Sequence, residues 1–128
     1  MNLKAYFDEK KGLGVLSTAD DQGAVNAAVY ARPHVLEEGH LAFIMRDRLS
    51  HHNLDSNPHA AYLFREDGPG YKGLRLHLTK LREESGTDLV REMCRRCRID
   101  DSPDAVRYLV TFQVDRELPL IGPGESVE

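Results

Sequence analysis

The chain has 128 residues, 41% of them hydrophobic, which is enough to bury the core of one globular domain but not of two. Seventeen Lys and Arg against 21 Asp and Glu leave a net charge of -4 with no concentrated basic run, which argues against a nucleic-acid partner. No apolar run approaches the roughly 20 residues needed to span a bilayer, and residues 1–10 lack a signal peptide's apolar core, so a soluble cytoplasmic protein is expected.

Leu3, Tyr6 and Phe7 fall on one face of a short helix at the start. Residues 13–19 then read as a strand, and Asp20-Asp21-Gln22-Gly23 as a turn, because the acids can bond to nearby amides and Gly23 supplies positive φ. A second strand covers residues 24–31. Arg32-Pro33 interrupts or bulges it before His34-Val35-Leu36, since proline cannot donate to a ladder. Glu37-Glu38-Gly39 turns the chain into a third strand, the apolar run Leu41-Ala42-Phe43-Ile44-Met45, which ends at Arg46.

Asp47 or Ser50 can cap a helix running through Ser56, and Asn57-Pro58 ends it by imposing extended geometry. Its positive end lies beside Arg46 and Arg48. Unpaired amides, a partial positive charge and guanidinium forks make that corner a candidate anion seat. The alternative is that both arginines are solvated loop residues near Asp47 and Asp55.

His59 to Phe64 forms a fourth strand, and Glu66-Asp67-Gly68-Pro69-Gly70 is the strongest loop signal. Residues 71–81 alternate, with Leu74, Leu76 and Leu78 one way and Arg75, His77 and Thr79 the other, as in a half-buried antiparallel strand. Thr87 can cap a helix over residues 88–98. A sixth strand over residues 105–114 puts Val106, Tyr108, Val110, Phe112 and Val114 on one side. These elements define a domain of residues 1–117 and a loosely held tail of residues 118–128.

Hairpin-length connections require antiparallel neighbours, and six short strands in a flat sheet would leave exposed edges. The expected fold is therefore mainly β (α+β): a six-stranded closed or split antiparallel barrel with peripheral helices.

Cys94 and Cys97 form a Cys-x-x-Cys inside the helix over residues 88–98, not at a helix start after a strand and not with two further zinc ligands, so they read as reduced helix thiols. The six histidines show no compact spacing with carboxylates, and no metal site is expected. His51 and His52 point about 100° apart on a helix and cannot easily share one ion. A solvated helix residue is the simplest reading of either. Ser17 and Thr18 have no placed base.

In order, Gly14-Val15-Leu16-Ser17-Thr18, residues 24–35, residues 41–45 and Leu49-Ser50-His51-His52-Asn53-Leu54-Asp55-Ser56-Asn57-Pro58 resemble the pyridoxamine 5′-phosphate oxidase-related, FMN-binding split-barrel family over residues 1–115. The last segment is most similar to its pyridoxamine-oxidase-like and haem-utilisation members. The resemblance implies a homodimer with FMN in an interface cleft. It places Arg46, Arg48 and Ser50 near the phosphate, Val29, Tyr30, Ala31 and Arg32 beside the isoalloxazine or ribityl chain, and Met45 and Leu49 as apolar walls. Tyr30 and Met45 would serve equally as ordinary strand packing. Ser50 stands where many members carry lysine, which leaves the phosphate's charge to the arginines.

The function implied is a flavoprotein oxidoreductase passing electrons between a small-molecule donor and acceptor. The chain lacks the extra segments of a full pyridoxamine phosphate oxidase, which disfavours vitamin B6 oxidation itself. A non-catalytic carrier or sensor of flavin, haem or deazaflavin is the alternative, and a barrel with an empty cleft is a third possibility.

Overall fold

The computed structural model describes residues 2–37, 39–46, 48–85 and 107–122. Within them α1 (Leu3–Glu9), β1 (Gly12–Ala19), β2 (Val25–Val29), β3 (His34–Glu37), β4 (His40–Arg46), α2 (Leu49–Ser56), β5 (His59–Glu66), β6 (Gly73–Ser85) and β7 (Arg107–Pro119) follow in order. Asn2 caps α1 by accepting from the Ala5 amide at 3.1 Å. The β1–β2 turn forms as expected from local chemistry: Asp20 Oδ1 accepts from the Gln22 and Ala24 amides, each at 2.9 Å, and Gly23 takes φ +85°.

All neighbouring strands pair antiparallel in one sheet of order β2-β1-β5-β6-β7-β4-β3. In that order β4 lies three places from β5, yet the rings of Phe43 and Tyr62 are 4.9 Å apart. The sheet therefore rolls up around a shared interior. Leu16, Tyr62, Phe64, Leu76, Leu78 and Phe112 meet Leu41, Phe43 and Met45 there, with Leu3 and Phe7 of α1 and Leu54 of α2 closing the ends. Burying these side chains, at about 1.5–3 kcal/mol each, is the main force behind the curl.

Seven strands replace the expected six, because Pro33 breaks the run after Val29 and His34–Glu37 pairs with β4 as a separate strand. Leu118 and Pro119, expected in the tail, pair with Arg75 and Leu74, and the Arg75 Nε–H donates to the Pro119 carbonyl at 2.9 Å. In β6 the alternation holds through Leu78. Leu81, on the outward parity of Arg75, His77 and Thr79, is exposed, and β6 shifts register against β7 between His77 and Leu78 and again between Lys80 and Arg82. β7 is buried at its centre on both faces, Val110 and Phe112 in the main core and Leu109 beside Ala42 in a smaller cluster. The expected helix over residues 88–98, its two cysteines, Asp47 and Val106 lie outside the described residues.

Candidate functional site

Beyond Val29 the chain crosses from β2 to β3 through Tyr30, Ala31, Arg32 and Pro33, and three contacts fix that crossover. Gly14 has no side chain, which lets the Tyr62 hydroxyl lie over β1 and reach the carbonyl oxygens of Tyr30 at 3.2 Å and Ala31 at 3.1 Å. The Tyr30 amide donates to the Gly14 carbonyl at 3.0 Å. Arg32 Nη1 donates to the carbonyls of Phe7 at 2.6 Å and Lys10 at 2.7 Å, so its guanidinium satisfies the last turn of α1.

The opposite wall comes from the end of β4 and the start of α2. Arg48 is the α2 N-cap residue, in extended geometry and with no side-chain cap bond; its amide donates to the Arg46 carbonyl at 2.8 Å. Ser50, expected as a possible cap, instead lies within the helix, 4% exposed, beside the Tyr30 phenol. Burial raises the Tyr30 pKa, while the neighbouring Ser50 hydroxyl and the Arg48 charge act in the opposite direction. Tyr30 also sets its ring edge-on to Phe43 at 5.9 Å.

Between these walls lies a cavity of about 1040 Å³. Of the residues singled out from sequence, Val29, Tyr30, Ala31, Arg32, Arg46, Arg48, Leu49 and Ser50 all line it. Met45 does not: it shares the inward face of β4 with Leu41 and Phe43 and is fully buried in the core. Lys4, Phe7 and Asp8 of α1, Asn26 and Ala28 of β2, and Pro33, His34, Val35, Phe43 and Ile44 complete the lining. Ile44 and Phe43 were legible as members of the strand ending at the basic corner. Nothing local marked α1, whose placement depends on Arg32 reaching it from 22 and 25 residues away.

The cavity is chemically polarised. Arg46, Arg48, Ser50 and the first amides of α2 form a basic, donor-rich corner, and Val29, Val35, Phe43, Ile44 and Pro33 supply apolar wall. Its volume is at the upper end of the ~300–1,000 Å³ usual for small-molecule sites. Such a site can seat a planar apolar body carrying an anionic tail.

His51 does not belong to this cavity. It is 5% exposed and not a solvated helix residue: its ring stacks on Tyr108 at 4.0 Å and 14°, and its Nε2 lies 3.1 Å from Glu83 Oε1. His52 is exposed. Thr18, without a base in the sequence, receives the buried Asn53 amide at 3.0 Å, a structural bond between β1 and α2.

The strand order, the roll of the sheet and the cavity at its split can be compared with solved structures. An FMN-binding protein from Syntrophomonas wolfei superimposes with a TM-score of 0.78 at 13% identity, covering 95% of this chain and 86% of that one. The fold is an FMN-binding-type split β-barrel. A pyridoxamine 5′-phosphate oxidase-like protein of Lactobacillus delbrueckii matches with a TM-score of 0.68 at 16% identity, covering 92% of each chain. HutZ, the haem storage protein of Vibrio cholerae, matches with a TM-score of 0.60 at 18% identity, covering 89% of each chain. No protein-family model and no curated protein matches the chain. No helix among the described residues is long and apolar enough to cross a membrane.

Proposed function

We propose that this split barrel binds FMN across a homodimer and acts as an oxidoreductase between a small-molecule electron donor and acceptor. The observation that carries the reading is the polarised cavity, in which Arg46, Arg48 and Ser50 stand at the start of α2 opposite the crossover residues Val29, Tyr30, Ala31 and Arg32. Its chemistry fits FMN. Arg46, Arg48, Ser50 and the helix amides would take the phosphate, and Leu49, Phe43 and Val35 would wall the ring. Residues 29–32 line the cavity beside these walls, where the ring heteroatoms would lie. Bound flavin supplies the hydride or electron transfer; the protein holds the ring, excludes water and fixes the tail. The Arg32 Nη1 is committed to α1, which leaves the phosphate's charge to Arg46 and Arg48.

A second copy of the chain is supported by the outer face of β2, β1 and β5. Val15 pairs with Val29 on one side and Leu63 on the other, and Ala19 pairs with Val25, so these side chains lie together on the face opposite the core. Val25 is 82% exposed, Val29 70%, Leu13 53% and Leu63 41%. Such an apolar stretch marks an interaction surface, and Val29 carries it to the rim of the cavity. Val25→Glu should convert a sedimenting dimer to a monomer and weaken FMN binding with it.

FMN should bind more tightly than riboflavin, and Arg48→Ala should remove about 1–3 kcal/mol of that difference. Equal affinities for FMN and riboflavin in the native chain would refute the phosphate assignment. The haem storage neighbour supports a second reading, a carrier of haem or another cofactor without turnover. A Soret shift on haem titration, with no reduction of bound FMN by NADH or NADPH, would favour the carrier.

A further inference from the structure

On the far side of α2 from the cavity, His51, Asp55 and Glu83 place one imidazole nitrogen and two carboxylate oxygens within 4.8 Å of one another. His51 and Asp55 are four residues apart on one helical face, and Glu83 comes from β6. The sequence alone showed no such spacing, because the third group is 28 residues beyond Asp55. We propose that these three side chains form a binding site for a divalent transition-metal ion, with the Lys80 ammonium as a tethered cation that the ion replaces.

The distances carry the proposal. Two ligands bound to zinc at 2.0–2.1 Å with a tetrahedral angle lie about 3.3 Å apart. His51 Nε2 lies 3.1 Å from Glu83 Oε1 and 3.2 Å from Oε2, so an ion can enter between them with little movement of either group. The cluster already attracts a cation. Lys80 Nζ is 2.7 Å from Glu83 Oε1 and 3.9 Å from Asp55 Oδ1, with its side chain only 15% exposed. The Asp55 side chain is 56% exposed and can swing inward to complete the set. One imidazole and two carboxylates suit Zn²⁺ or Co²⁺, with water in the open position. The Lys80 ammonium would leave to solvent still protonated, and the Nε2 proton that His51 shares with Glu83 would pass to Nδ1 or to water as the ion takes its place.

The test is titration of the full chain with Zn²⁺ by calorimetry and with Co²⁺ by absorption, repeated in Cys94→Ser/Cys97→Ser to remove the thiols. One ion per chain is expected in both, without sulfur-to-cobalt charge-transfer bands in the serine variant. In that background Asp55→Asn and Glu83→Gln should each weaken binding at least tenfold, and Lys80→Met should tighten it severalfold. His51→Gln provides the third ligand test, with circular dichroism as the folding control. Loss of all binding in the serine variant would assign the metal to the cysteines and overturn the proposal. So would affinities that Asp55→Asn and Glu83→Gln leave unchanged, or tightening that fails to appear in Lys80→Met, since the lysine would then not occupy the site.

Discussion

Gly14 and Tyr62 compete for one volume: a Cβ on residue 14 would overlap the Tyr62 hydroxyl and approach the Tyr30 carbonyl oxygen to 2.6 Å. The absent side chain is what lets one phenol hold both Tyr30 and Ala31, and with them the cavity wall.

Gly14→Ala should therefore destabilise the protein by about 1–3 kcal/mol, as overpacking does in a filled core. The denaturation midpoint should fall with little change in slope, and FMN affinity should fall with it because the crossover is displaced. In a Tyr62→Phe background the cost of Gly14→Ala should shrink, and a double-mutant cycle will read that coupling directly.

Tyr62→Phe alone should cost about 1–2 kcal/mol through the lost hydroxyl bonds. It should also change the alkaline limb of stability. Burial raises the folded pKa of Tyr62 above the ordinary 10.0 of a phenol, so its stabilisation is full below that pH and is lost as pH rises through the folded value. Removing the phenol should flatten the decline above pH 10, measured by urea denaturation at stepped pH.

Arg32→Met keeps an apolar stem in the cavity wall and deletes the bonds to Phe7 and Lys10. A loss of about 1–3 kcal/mol is expected, with faster amide exchange in α1. The ratio of FMN to riboflavin affinity should stay constant, because this guanidinium serves the helix. A collapse of that ratio would instead make Arg32 a phosphate ligand.

Asn53 and Thr18 are 5% and 3% exposed and joined by one side-chain hydrogen bond of 3.0 Å. Asn53→Ala should cost about 1–3 kcal/mol, since it leaves a buried hydroxyl without its partner. Thr18→Val should be milder, and the pair should show a coupling of about 1 kcal/mol in thermal or urea unfolding.

Glu83→Gln should reduce the sensitivity of the fold to acid. Against the upward pull of burial, hydrogen bonds from Lys80 and His51 hold the folded pKa of Glu83 below the ordinary 4.5, so its contribution is full above pH 4.5 and is lost as pH falls through the folded value. The variant should lose stability at neutral pH and show a shallower decline below pH 4.5. An unchanged acid limb would show that Lys80 and His51 do not distinguish the ionised from the neutral carboxyl.

Much of the site could be located from sequence because it lies where a predicted strand ends and a predicted helix begins. Leu41–Met45 is apolar on both sides of its strand, and the first polar residues after it, Arg46 and Arg48, had to emerge at the edge of the core. The capping chemistry was misread at Ser50 because α2 begins at Leu49 with Arg48 at the N-cap, which puts Ser50 inside the first turn and buries it. Met45 does not line the cavity although strand parity, visible in sequence, puts it on one face with Phe43, which does: how far along that face the cavity reaches is set by tertiary packing.

The sequence by itself determined the strands, the Asp20–Gly23 turn and the break at Pro33, because alternation, side-chain-to-amide bonds and a missing N–H act within a few residues of the chain. Only the tertiary structure decided that Phe43 faces Tyr62, that Arg32 holds α1, and that His51 meets Glu83. Those partners are separated by 19 to 32 residues, and nothing local selects them. They meet because the sheet rolls to bury its apolar face, and the close packing of that interior leaves each polar group few partners.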